Sequence, residues 1–169
     1  FPGGSHEYLV NKGNGGRDMD GRTLFFYLAT VNTPAMALEI PGVGSQYAFS
    51  SRDGSGAYLN GSNTYKLNIP ANPPAQKFWS FVVYDPQTRS MLQTGEMPYP
   101  SKNNKRNADM VKNADGSIDL YFGPQAPAGM EANWVKTVPG KGWFGIFRLY
   151  GPGQQWFDRT WKLGNIEKV

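Results

Sequence analysis

Cysteine is absent from the 169 residues, and histidine occurs once, as His6. Without cysteine there are no disulfides, no thiolate metal site and no thiol nucleophile. With one histidine as well, a zinc centre built from several Cys or His ligands is excluded. His6 lies in an arm flanked by Gly3-Gly4 and by the glycines between 13 and 16, so it is a poor base for a Ser-His-Asp arrangement and reads as an arm residue. Long apolar runs are missing too. The longest, Leu24 to Ala29, falls far short of the ~20 residues that span a bilayer. No signal-peptide pattern is present, and the sequence starts at Phe1, which reads as a mature or cleaved product of something longer. Charge is also sparse. Seventeen Lys and Arg against 13 Asp and Glu leave a net charge of +4, and the clearest basic cluster is Lys102, Lys105 and Arg106 set among asparagines. Nucleic-acid binding needs a wider basic face with interleaved aromatics, so this cluster reads as a solvated loop and no nucleic-acid partner is expected.

What is abundant is turn and strand material. Gly 21, Pro 13 and 14% aromatics describe an ordered, turn-rich chain. At this length about 70% of the unfolded surface can be buried, so one core needs no staples. The organising stretch runs from Pro73 to Pro86. At strand period Phe78, Val82 and Tyr84 share one face and Trp79, Phe81 and Val83 the other, which predicts a central strand covered on both sides. Tyr65, Leu67 and Ile69 alternate with Lys66 and Asn68 as a half-buried strand, and Gln46 to Ser50 is a short one. Arg89 to Thr94 reads as the antiparallel return of the central strand after the turn at Asp85-Pro86-Gln87. Asn60-Gly61 is a hairpin cue, and Asn113 to Gly116 turns the chain between 109–112 and 117–122. Asn133 to Val138 and Trp143 to Tyr150 are further strands. Ahead of them, Arg17 to Thr30 fits a short helix with an apolar stripe at Leu24, Phe25 and Leu28, and Thr33-Pro34 starts a second short one. Many short strands between turn signals mean an all-β sandwich or barrel. The domain reading is an N-terminal arm and helical segment over 1–44 and a β domain over 45–169.

Several blocks carry a family resemblance: Arg17-Asp18 through Arg22, Phe25-Phe26-Tyr27, Thr33-Pro34-Ala35-Met36, Gly44-Ser45-Gln46-Tyr47, Phe78-Trp79-Ser80 with Tyr84-Asp85, Asn113 to Ser117, Asn133-Trp134 and Arg148-Leu149-Tyr150-Gly151-Pro152. From about Arg17 to Val169 the chain resembles the bacterial domain of unknown function 1214, which usually follows a domain of unknown function 1254 in a longer protein. The resemblance implies a jelly-roll β-sandwich with a small helical piece on its N-terminal side, in an often exported, periplasmic or secreted, protein. It also implies a missing neighbour. The expected partners are therefore the N-terminal half of the same precursor or a second copy of this chain, docking through the apolar helix near Phe25 to Ala29.

The chemistry-bearing residues form no recognised catalytic motif. Glu39, Asp85, Glu96, Asp119, Glu131 and Asp158 could supply an acid and base pair of the glycosidase kind. Arg52 to Ser55 and Asn113 to Asp119 hold oxygens that calcium could use, but lack the EF-hand spacing and read as turns, so no metal or other cofactor is expected. Arg148 shares its strand face with Phe144, Ile146 and Tyr150. An Arg on an apolar face must be paired. It either binds an anion or sugar, or is tied to a core carboxylate such as Asp85 or Asp119, the reading that buried arginines favour. The five tryptophans could stack on sugar, although strand aromatics are more often core. The candidate ligand-binding set is Trp79, Tyr84, Asp85, Trp143 and Arg148. The functional expectation is a ligand-binding or structural and assembly module. The alternative is a carboxylate-dependent enzyme acting on carbohydrate or another small polar substrate.

Overall fold

Two prolines open the central stretch and a third closes it, and between them the chain forms the longest of the described strands. The structure, a computed structural model, describes residues 39–169. The helix expected over Arg17 to Thr30, the one expected after Thr33, and residues 1–38 of the arm-and-helix segment lie outside the described residues. The described strands are β1 (Ser45–Ser50), β2 (Tyr65–Ile69), β3 (Ala75–Tyr84), β4 (Ser101–Asn103), β5 (Ile118–Gly123), β6 (Trp134–Lys136), β7 (Phe144–Pro152) and β8 (Ile166–Lys168). Among the described residues, helical structure is limited to a 3-10 turn at Glu131–Asn133 and one short helix, α1 (Gln154–Phe157).

The strands form two four-stranded sheets, ordered β1-β7-β3-β4 and β6-β5-β2-β8. Every pairing is antiparallel except β5 with β6, which run parallel. Alternation sets which side chains meet. In β7 Phe147 and Leu149 point inward, as do Trp79, Phe81 and Val83 in β3 and Tyr65, Leu67 and Ile69 in β2, and all belong to one buried cluster. The two sheets touch through rings. Phe81 of β3 meets Phe122 of β5 at 4.8 Å between centroids, and Phe122 in turn meets Trp143 at 5.1 Å. Phe81 also lies over Gly145 of β7, where an added Cβ would stand 2.2 Å from its ring. The glycine is there because the ring occupies the space of its side chain.

Several expectations change. β3 is central, but its two faces differ: Trp79, Phe81 and Val83 are buried under the second sheet, whereas on the other face Val82 is buried and Phe78 and Tyr84 stay half-buried. Arg89 to Thr94 does return antiparallel beside β3, but only as a single bridge of Tyr84 to Met91, with Asp85 N donating to Ser90 O and Leu92 N to Val83 O; β4 pairs with the preceding residues Ser80 to Val82. Asn60-Gly61 closes no hairpin either. Gly61 lies against residue 138, with its N–H donating to Lys141 O at 2.8 Å, and a Cβ there would sit 2.1 Å from Val138 O. The glycine serves close backbone approach between distant segments rather than hairpin twist. The strand expected from Asn133 shrinks to Trp134–Lys136, since Asn133 turns its amide onto the backbone of Val111 and Asp119.

Gly145→Ala tests the ring contact. Overpacking a filled core costs about 1–3 kcal/mol, so denaturant unfolding should show a loss of that size, and Gly145→Ala with Phe81→Leu should lose less than the two single changes added together.

Candidate functional site

The outward face of the first sheet is built from β1, β7, β3 and β4 by the same alternation that fills the core. Register places Tyr47 opposite Arg148, Arg148 opposite Ser80, Phe49 opposite Ile146, Ile146 opposite Val82, Phe144 opposite Tyr84, and Tyr150 opposite Phe78. Ser101 and Asn103 complete it on β4. Two aromatic pairs stack across the β3–β7 seam, Phe78 on Tyr150 at 4.1 Å and Tyr84 on Phe144 at 5.2 Å. Phe49 adds its ring to Phe144 at 5.2 Å. Towards the β1 edge Tyr47 and Phe49 are 40% and 41% exposed, so the face is open there.

Arg148 stands in the middle of this surface. Its Nη2 donates to Tyr84 Oη at 2.6 Å, and its guanidinium carbon lies 5.7 Å from the Tyr47 ring centre and 5.8 Å from that of Tyr84. The Tyr150 hydroxyl also acts on it. Its Nε is enclosed and meets no acceptor. Among the described outward residues of these four strands there is no carboxylate. The expected core carboxylate partner is thus not found: Asp85 pairs with Lys141 at 3.1 Å, and Asp119 is held by Asn68 at 2.7 Å and faces Lys66 at 3.8 Å. The strand face assigned to Arg148 from sequence is the one observed.

The other candidate residues fall elsewhere. Trp79 and Trp143 are each 2% exposed and face the core, where Trp79 meets Phe147 and Trp143 meets Tyr65. Asp85 initiates the turn after β3, accepting from Gln87 N at 2.8 Å and Thr88 N at 3.3 Å. Those backbone donors first, and Lys141 second, hold its carboxyl below the usual carboxylate range. Of the five, the structure brings together Tyr84 and Arg148. The sequence reading placed Tyr150 on the face of Arg148 but missed Tyr47 and Phe49 as companions, although i, i+2 spacing on β1 carries that signal.

The remaining carboxylates are engaged locally. Glu96 pairs with Lys136, Glu131 accepts from Gly129 N, and Asp158 accepts from Thr160 N and Oγ1. In the calcium-like turns, Asp53 Oδ1 accepts from Ser55 and Ala57, and Asp115 Oδ1 from Ser117. Among the described residues no group of three or more His, Cys, Asp or Glu is placed to hold a metal ion. The basic cluster is divided: Lys102 is buried on β4, with burial depressing its pKa, while Arg106 donates to Ser101 Oγ at 2.7 Å and lies over the Tyr99 ring. No helix among the described residues is long and apolar enough to cross a membrane.

Burial pushes the Tyr84 hydroxyl above the ordinary tyrosine value of 10.0, against the opposing pull of Arg148. A raised folded-state pKa means stability is complete below the unfolded value and is lost as pH rises through the folded one. The loss from this residue therefore starts above pH ~10. Tyr84→Phe should flatten the alkaline fall in melting temperature and remove a phase of phenolate absorbance that titrates above pH ~10. An unchanged alkaline limb would show that Tyr84 titrates as a free phenol.

Comparison with known proteins adds to this geometry. The VPA0106 protein from Vibrio parahaemolyticus has a similar structure, with a TM-score of 0.67 at 23% identity, over 92% of this chain and 36% of that one. An uncharacterized protein from Burkholderia cenocepacia aligns with a TM-score of 0.46 at 20% identity, over 78% of this chain and 30% of that one. The chain thus spans about a third of the length of either protein. No curated protein matches its sequence. Residues 44–154 match the family described as Protein of unknown function (DUF1214), and the chain belongs to that family.

Proposed function

We propose that this domain is a binding module that holds a small polar or anionic ligand on the outward face of its β1-β7-β3-β4 sheet, with Arg148 as anchor and Tyr84 beside it. The observation that carries this reading is a half-buried guanidinium among aromatic rings, facing no carboxylate among the described residues and with Nε enclosed and unpaired. Removing a charge from water without a counter-ion is costly, and proteins retain such charges where a ligand completes them. Arg is suited to this because its planar fork meets a carboxylate or phosphate in two parallel hydrogen bonds. The carboxylate-dependent enzyme reading gains nothing comparable, since Asp85, Glu96, Asp119, Glu131 and Asp158 are engaged in turns, hydrogen bonds and ion pairs.

A jelly-roll sandwich is the architecture we infer for the scaffold, supported by consecutive strands that cross between the two sheets and by the core the sheets share. Export to the periplasm or beyond is part of the same reading and rests on the family resemblance. So does a partner, either the N-terminal half of a longer precursor or a second copy, and the chain's one-third share of the Vibrio protein's length is compatible with the former.

The test is a thermal-shift and calorimetric panel of neutral saccharides, amino acids, carboxylates and phosphate, run on the wild type and on Arg148→Ala. Ligands that bind the wild type should lose at least about tenfold in affinity in the variant, equivalent to ~1.4 kcal/mol. Binding that is equal in both proteins, or absent from both, would remove the reading. Arg148→Met should leave unfolding stability within about 1 kcal/mol of the wild type or raise it, because no ion pair with a described residue is broken. A larger loss would mean that Arg148 is structural.

A further inference from the structure

The surroundings of Arg148 also indicate the chemical class of what it holds. This step rests on the reading of Arg148 as a ligand anchor. Along β7 the face changes character in a fixed order. Tyr150 stacks on Phe78, Arg148 follows with its tyrosine hydroxyls, and then come Ile146 and Phe144, flanked on β1 by Phe49. The Arg148 guanidinium leans along the strand towards Phe144: its carbon lies 5.8 Å from the Tyr84 ring, which stacks on Phe144 at 5.2 Å. Beside it Ile146, Phe144 and Phe49 offer aliphatic and ring surface and Tyr84 a phenol already bonded to Arg148, while Val82 among them is buried. The positive charge thus sits beside an apolar track whose β1 side, at Tyr47 and Phe49, is open to solvent. A second cation, Lys105, reaches the Phe78 ring at 5.4 Å, beyond Arg148 and away from the track.

A neutral sugar suits this surface poorly. Sugars present alternating donors and acceptors around the ring, and the track has no carboxylate or amide to meet them. A dianion would place its second charge against rings and aliphatic carbons, at the cost of desolvation. A small ion such as acetate would satisfy Arg148 but leave Ile146, Phe144 and Phe49 uncovered.

We propose that the ligand is an amphipathic monoanion: a single carboxylate or equivalent head on Arg148, joined to a flat apolar body that lies along Ile146 and Phe144 against the exposed Phe49. The head completes the guanidinium fork and the body buries apolar area at the open edge of the sheet.

Naphthoate is a suitable probe, titrated calorimetrically beside naphthalenemethanol, naphthalene dicarboxylate, acetate and cellobiose. Naphthoate should bind at least tenfold more tightly than each of the other four. Arg148→Ala should abolish its advantage over the alcohol, and Phe49→Ala should weaken naphthoate severalfold while leaving acetate unchanged. Equal binding of the alcohol, the dianion or acetate would overturn the proposal. So would naphthoate binding that ignores Arg148→Ala. Arg148-dependent binding of cellobiose without naphthoate would overturn the amphipathic monoanion while leaving the binding-module reading in place. Failure of every probe to show Arg148-dependent binding would remove both. Circular dichroism and melting of each variant separate loss of the site from loss of the fold.

Discussion

The contact of the Phe81 ring with Gly145 and Phe122 is the constraint on which the rest depends. Phe81 touches its neighbour within the first sheet and the facing strand of the second at once. A ring lying over a glycine covers the gap left by the missing side chain and fixes the register of β3 against β7. That register decides which residues face outward. A slip of one residue would send Arg148 into the core and Phe147 into solvent. The candidate site thus inherits its composition from a packing contact on the opposite side of the same sheet.

The sheet divides its aromatic residues by role. On the inner side Trp79, Phe81 and Phe147 are enclosed and join the sheets. On the outer side rings stack in cross-strand pairs and leave a partly open surface around a cation. Stacked pairs of this kind are worth about 0.5–1.5 kcal/mol beyond their buried area, so the outer face is held rigid by its own side chains. A rigid surface loses little entropy when something settles on it.

Where one face alternates cleanly, the fold could be read from the residues. Tyr65, Leu67 and Ile69 gave β2 to the residue, and the period through Phe144, Ile146 and Arg148 gave the correct face of β7. What could not be read depends on contacts between distant segments. The role of Gly61 requires knowing that residue 138 passes over it, and the parallel placement of β6 beside β5 has no local signature. The site was partly legible for the same reason. Tyr84 and Arg148 were found as polar groups on apolar faces. The absence of a carboxylate opposite Arg148 is a fact about β1, β3 and β4 together. Trp79 and Trp143 carried a signal that composition could not resolve, since an indole on a strand looks the same whether it faces a ligand or a core.

The position of β7 has one further consequence. It is the seventh of the described strands but lies between the first and third of them in its sheet, with Ser45 paired to Tyr150 and Phe78 paired to the same residue. During synthesis β1 and β3 therefore emerge with no partner for the edges they will share, and their aromatic residues wait exposed until β7, which begins at Phe144, follows strands that end at Ser50 and Tyr84. Sheets closed by such distant pairings assemble slowly and are open to aggregation in the interval. A chain of this topology gains from being shielded until β7 has been made, and the arginine in the middle of that strand keeps a charge on what would otherwise be its most adhesive segment.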